Sequence, residues 1–315
     1  MREIAKTMIE NIEQVIIGKS QVVKIVIASL FAGGHVLLED VPGSGKTMLA
    51  KALARSIDGS GTRIQLTPDL LPSDITGINY FNMKKSEFEF VPGPVFTNIL
   101  IADEINRATP KTQAGLLEAM EEKQVSVDGT TYELSSPFMV IATQNPIESQ
   151  GVFPLPEAQI DRFLVRVKMG YPGTRETVGI LKTHGSGKVL DSLQPVTTCA
   201  RICEVIRQVE EVQVHDDILY YIAGLLEATR EHESVVLGVS SRGGLALMQL
   251  AKALAYIENR DYVLPDDVKE AAGYAMAHRL VLKNSERLKP NRKQEVIMEI
   301  LDKQKVPTED FGEQS

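Results

Sequence analysis

The stretch HVLLEDVPGSGKTMLAKALARSI, residues 35–57, constrains the fold more than any other part of the chain. A short apolar run leads into a glycine-containing turn, and the turn leads into a segment whose Leu49, Leu53 and Ile57 share one helical face. Strand, tight loop, helix is the order a phosphate-cradling turn requires. The glycines let backbone N–H groups curl around an anion, and the helix N-terminus adds the positive end of its dipole. By composition alone G-x-G-K-[ST] arises in about one chain in a hundred of this size, so the flanking context has to carry the reading. The chain supplies its own control. GSGK recurs at 185–188, but Val189 follows it and no apolar run precedes it, so that copy reads as a connecting loop.

Within the first copy the residues divide the work. Pro42, Gly43, Ser44 and Gly45 form the turn, Lys46 reaches for β and γ phosphates, Thr47 offers a hydroxyl to Mg2+, and Met48 continues into the helix. Asp40 stands where the strict phosphate-loop pattern has its first glycine.

Further apolar runs follow at 63–66, 98–104, 138–145 and 163–169, with helical patterns such as TPKTQAGLLEAMEE (109–122) between them. That alternation predicts an α/β fold with a mostly parallel sheet and helices on both faces. Thr109 before Pro110 is a helix start, with threonine as N-cap and proline at the first helical position. Two stretches, about 78–92 and 124–135, read as β-hairpins; in the second, Asp128-Gly129 supplies a tight turn. The strand pattern ends near residue 172. The expected organisation is a core over 1–172, a linker over 173–195, an all-helical lid over 196–290, and a C-terminal helix and acidic tail over 291–315.

The run NILIADE ends in two adjacent acids, the first 57 positions after Lys46. Asp103, at the carboxyl end of a strand beside the phosphate loop, is placed to hold the Mg2+ shell, and Glu104 to polarise a water for attack on the γ phosphate. Asn145 closes the next strand and is suited to touching the γ phosphate or that water.

Bulk properties exclude several classes. A formal net charge of −8 and a pI near 5.3 argue against a broad nucleic-acid surface. The longest apolar stretch, 25–38, falls short of the ~20 residues a membrane helix needs and is interrupted by a glycine pair and His35. The N-terminus has no apolar signal region, so a cytoplasmic location is expected. Cys199 and Cys203 stand four apart in a helical pattern and read as ordinary small side chains. There is no N-K-x-D guanine-reading stretch, no H-E-x-x-H and no dinucleotide fingerprint.

Taken together, EDVPGSGKT, LIADEINRATPKTQAGLLEAMEE, VIATQNPIESQGVFPLPEAQIDRF and GVSSRGGLAL resemble the MoxR family of AAA+ ATPases over roughly residues 10–285. The resemblance implies an αβα nucleotide-binding core with a smaller helical lid, ATP/ADP and Mg2+ as ligands, and a homo-oligomeric, hexameric ring. It also implies a separately encoded partner carrying a von Willebrand factor A domain, and a chaperone-like task on an unspecified client. Matched residue by residue, Lys46 and Thr47 fall on the first Walker motif, Asp103 and Glu104 on the second, and Asn145 on the first sensor. Arg162 falls on the arginine finger, Arg242 on the second sensor, and Ile17 and Gly18 on the segment lining the adenine. Two alternatives to an ATP-driven remodeller stand beside it: a nucleotide-dependent adaptor or switch with little hydrolysis, and a DNA-acting motor, which the acidic balance disfavours.

Overall fold

The computed structural model of the protein describes residues 1–39, 44–144, 151–184, 189–287, 289 and 291–307. The chain divides into two compact units, residues 2–207, and residues 208–315 with Met1. That division comes later than the change of composition near residue 172.

The first unit opens with α1 (Glu3–Glu13) and α2 (Ser20–Phe31), followed by β1 (Val36–Glu39), α3 (Lys46–Ser56), β2 (Gly61–Gln65) and α4 (Pro72–Thr76). A hairpin of β3 (Gly77–Asn82) and β4 (Glu87–Pro92) precedes β5 (Ile99–Asp103) and α5 (Pro110–Glu122). A second hairpin, β6 (Gln124–Val127) and β7 (Thr130–Glu133), precedes β8 (Met139–Gln144), α6 (Glu157–Ile160) and β9 (Val165–Val167). The stretch expected to be linker is partly helical, as α7 (Thr174–His184) and α8 (Val189–Ser192); α9 (Cys199–Glu210) spans the division between the units.

Five strands make the central sheet in the order β2-β5-β8-β1-β9, and every pairing is parallel. Residues such as Leu37, Leu100, Ala102, Val140 and Ala142 point to one face, where they pack with Leu116, Leu117 and Met120 of α5. Side chains alternate along a strand. The residues between these, among them Asp103 and Thr143, therefore point to the opposite face. Thr109 caps α5, its hydroxyl accepting from the Thr112 N–H at 3.4 Å, with Pro110 at the first helical position.

Both hairpins pair antiparallel. Asp128 and Gly129 have φ of 49° and 83°, the two positive values that a two-residue hairpin turn of type I′ requires. Phe90 of the first hairpin stacks on Tyr132 of the second at 4.0 Å between ring centroids, and the Asn79 amide donates to Asp128 at 3.0 Å. The two insertions are thus fastened to each other.

The second unit contains α10 (Asp216–Glu231), β10 (Val235–Leu237), α11 (Ser241–Ile257), α12 (Pro265–Ala275), β11 (Val281–Leu282), α13 (Asn284–Arg287) and α14 (Arg292–Lys303). It is not all-helical as expected: β10 and β11 pair antiparallel. These runs are only three and two residues long, too short for alternation to announce them. The Arg260 guanidinium grips the Asp267 carboxylate through two bonds of 2.7 and 2.6 Å, and Asp267 also accepts from the Leu264 N–H at the start of α12. No helix among the described residues is long and apolar enough to cross a membrane.

Candidate nucleotide site

The described end of the glycine loop is Ser44 and Gly45; Asp40, Val41, Pro42 and Gly43 lie outside the described residues. Gly45 is left-handed at φ 91°, a conformation that glycine adopts without a Cβ penalty, and it swings the chain into α3. No side chain among the described residues caps α3. The first-turn N–H groups of a helix have no partners within it, so this uncapped end suits an anion. The Ser44 hydroxyl oxygen is buried with no hydrogen-bond partner among the described residues, a polar atom in want of a ligand.

Facing α3, Asp103 ends β5. Its Oδ1 accepts from the Thr143 hydroxyl at 3.1 Å, and its Oδ2 lies 3.5 Å from the Thr47 hydroxyl and 2.6 Å from Arg63 Nε. The parallel register explains the gathering. Gln65 pairs with Asp103, and Ala102 with Ala142, so Arg63, Asp103 and Thr143 share one face of three adjacent strands. The Thr47–Asp103 separation is at the outer limit of a hydrogen bond. Two oxygens so placed are donors of the class that Mg2+ takes, because that ion binds through one or two protein oxygens and keeps its waters and the substrate's phosphates. The residues fit the ion.

Glu104 leaves the strand in the left-handed region, φ 58° and ψ 51°, costing about 1–3 kcal/mol for a side chain other than glycine. Its N–H donates to the Thr143 hydroxyl at 3.0 Å, so Thr143 braces Asp103 and Glu104 together. The Glu104 carboxylate pairs with Arg107 Nε at 3.1 Å. At the end of β1, Glu39 pairs with Arg166 of β9.

Beside the mouth of α3 lies a cleft of about 210 Å3 whose walls include Val15, Ile16, Ile17, Met48, Met169 and Ile180, with Ser44 and Gly45 at one end. An apolar slot next to an anion-binding terminus matches the two chemistries of a nucleotide, a flat base and a charged tail. Ile17 lines the slot directly, whereas Gly18 makes the turn behind it at φ 73°. Lys19 ties that turn down, donating to the Tyr171 carbonyl at 3.2 Å.

The structure thus brings together Ser44, Gly45, Lys46, Thr47, Met48, Asp103, Glu104 and Ile17. Asn145 lies outside the described residues, just past Gln144 at the end of β8. Arg162 is elsewhere. It precedes β9, its neighbour Leu164 donates to the His35 carbonyl ahead of β1, and its Nε lies 2.9 Å from Glu121 at the far end of α5. It therefore stands at the amino ends of the strands, and Ser44 and Gly45 at their carboxyl ends. Arg242 is exposed in the first turn of α11, in the second unit, where Ser240 caps the helix by accepting from the Gly243 N–H at 3.2 Å. Sequence reasoning missed Arg63, Thr143 and Arg107. Thr143, a polar residue that follows five apolar ones in the run starting at Phe138, was the one visible signal.

The family model for the ATPase family associated with various cellular activities (AAA) matches residues 35–165, and the AAA lid domain matches residues 227–300. The chain is 47% identical to the uncharacterized protein YeaC of Bacillus subtilis, covering 96% of this chain and 94% of that one. It is 40% identical to Chaperone MoxR1 of Mycobacterium tuberculosis, covering 86% of this chain and 74% of that one. A crystal structure of a candidate ATPase from Cytophaga hutchinsonii superposes with a TM-score of 0.89 at 36% identity, covering 96% of this chain and 94% of the other.

Proposed function

The chain belongs to the MoxR family of AAA+ ATPases, and from that premise we propose that it hydrolyses ATP to ADP and phosphate with Mg2+, as a chaperone-like remodeller working in a cytoplasmic homo-oligomeric ring. The observation that carries this reading is the convergence of the uncapped start of α3, Thr47 and Asp103, with Glu104 turned out of line beside them.

In this reading the N–H groups of the loop and α3, with Lys46, hold the phosphates, and the cleft at Ile17 takes the base. Thr47 and Asp103 would hold Mg2+, which when bound neutralises charge on the β and γ phosphates. Glu104 acts as general base, accepting the proton of the attacking water; its backbone is fixed by Thr143, so only the carboxylate has to move, away from Arg107. Asn145 would orient that water, and Arg242 would act as the second sensor. Arg162 stands at the opposite end of the sheet from its own chain's loop, which supports a role on the γ phosphate of a neighbouring copy rather than its own. A six-membered ring, a von Willebrand factor A partner and a protein client complete the reading. The name of the Mycobacterium relative, a chaperone, supports the last.

One observation favours the second reading, a nucleotide-dependent adaptor with little turnover: the Glu104 carboxylate is held by Arg107. Phosphate release measured across protein concentrations separates the two. Specific activity that climbs as the protein assembles is the outcome expected of the motor; flat, near-zero release with tight ATP binding would establish the adaptor instead.

A further inference from the structure

Arg63 lies on the edge strand β2, and its Nε sits 2.6 Å from Asp103 Oδ2. That oxygen is the one facing the Thr47 hydroxyl, while Oδ1 is committed to Thr143. The far end of the guanidinium is moored too, Nη2 donating to Gln65 Oε1 at 3.1 Å. Asp103 is 9% exposed in its side chain and Arg63 is 48% exposed. A carboxylate this buried needs a cation to offset its lost hydration, and here the protein supplies its own. The oxygen that would face Mg2+ is thus already neutralised by an arginine with open solvent on its other side.

Resting on the Mg2+-nucleotide reading above, the structure assigns Arg63 as a displaceable counter-ion of the metal site. It offsets the charge of Asp103 and keeps the carboxylate aimed while the metal is absent, and it gives way as the metal enters. A divalent ion arriving between Thr47 and Asp103 meets the guanidinium as a like charge, and the two repel at this range. Metal entry is then an exchange of cations at Asp103, not an addition. Arg63 is a positioning residue: it touches neither the phosphates nor the water, and it acts through Asp103.

The test is the Mg2+ dependence of ADP binding by the full chain, read as the ratio of the ADP dissociation constant in EDTA to that in Mg2+. Neutral variants Arg63→Gln and Arg63→Met should raise this ratio on the order of tenfold, because the metal no longer displaces a charge. Arg63→Lys, which keeps the charge, should leave it near the wild-type value. Mn2+ in place of Mg2+, followed by electron paramagnetic resonance, should show the same tightening with no turnover involved. An arginine that only orients Asp103 predicts the opposite sign. A ratio that is unchanged or lower in both neutral variants, with wild-type ADP binding intact, overturns the counter-ion role alone. Absence of saturable ADP uptake by the wild-type chain would remove the nucleotide reading and this assignment with it.

Discussion

The two ends of the parallel sheet are chemically unlike. At the carboxyl ends Thr47 and Asp103 face each other at 3.5 Å, Glu104 occupies a left-handed conformation, and the Ser44 hydroxyl is buried without a partner among the described residues. At the amino ends sits His35, buried and with both ring nitrogens partnered. Its Nδ1 accepts from the Val140 N–H at 3.0 Å, and its Nε2 lies 2.9 Å from the Met120 carbonyl. An N–H can only donate and a carbonyl can only accept, so the ring is neutral with its proton on Nε2. Burial is therefore common to both ends, but the Ser44 hydroxyl has no partner among the described residues, whereas both ring nitrogens of His35 have one. Unmet hydrogen bonds and backbone strain point to where a ligand belongs; a polar group whose every atom is used inside the protein is a structural pin.

Arg162 complicates this contrast, since it is a proposed functional residue at the structural end. Strands of this length put roughly 15–20 Å between the two ends, so it can serve catalysis only in a neighbour. Arg162→Ala should lower ATP turnover by about 10^3-fold or more and leave ATP binding within a few-fold. Mixing it with Lys46→Ala should restore part of the activity, because an intact pocket then meets an intact arginine across an interface. Measured phosphate release that shows no recovery on mixing would break the assignment in trans.

Next in size is Glu104→Gln, which keeps the shape and removes the proposed base. Turnover should fall about 10^2 to 10^4-fold while nucleotide remains bound, as read by single-turnover phosphate release and by filter retention of labelled ATP. Retained turnover would mean that the strained backbone at Glu104 serves something other than placing a base.

Much of this site was legible in the chain because its parts announce themselves locally. A glycine turn between a strand and a helix, and acids at a strand's end, are patterns of one segment. Asp128-Gly129 is equally local, and the observed turn has the two positive φ values that the pair favours. The missed residues belong to relations between segments. Arg63 reaches Asp103 only because Gln65 pairs with Asp103, and no feature of RIQL states that register. Thr143 braces Asp103 and Glu104 only because β5 and β8 are neighbours. The brief β10–β11 pairing escaped for another reason: two or three residues carry no measurable period.

A smaller effect tests the structural end by itself. Burial pushes the His35 imidazole down to about 4, with the Met120 carbonyl pulling the other way and Lys123 adding slightly to the depression. The unfolded chain therefore binds a proton that the folded chain refuses. Above pH 6.5 both forms are neutral and the group makes no difference; stability is lost as pH falls from 6.5 towards 4. The loss should reach about 2 kcal/mol at pH 5 and about 3 kcal/mol at pH 4. Urea unfolding at pH 7 and pH 5, compared with the same pair for His35→Leu, isolates it. The variant should start lower at pH 7, since the Val140 N–H and the Met120 carbonyl are left unpaired, and should lose less on acidification. Equal losses in both proteins would deny the histidine its pinned neutral state.

The smallest effect comes from the other end of β8, the strand whose Val140 N–H donates to His35. Thr143→Val is close to isosteric, and it deletes the hydroxyl that donates to Asp103 Oδ1 and accepts from the Glu104 N–H. Two buried polar groups lose a partner, but Asp103 keeps Arg63 and Glu104 keeps its pairing with Arg107. The expected cost to stability is about 1–2 kcal/mol, less than the acid loss at His35. The effect on function should be larger in proportion: with its N–H unpaired, Glu104 has less reason to hold φ near 58°, and turnover should fall while ADP binding does not. If stability and turnover fall together by the same free energy, the hydroxyl is a pin like His35. If turnover falls further, Thr143 holds the base in its strained position, and the two ends of β8 differ in kind.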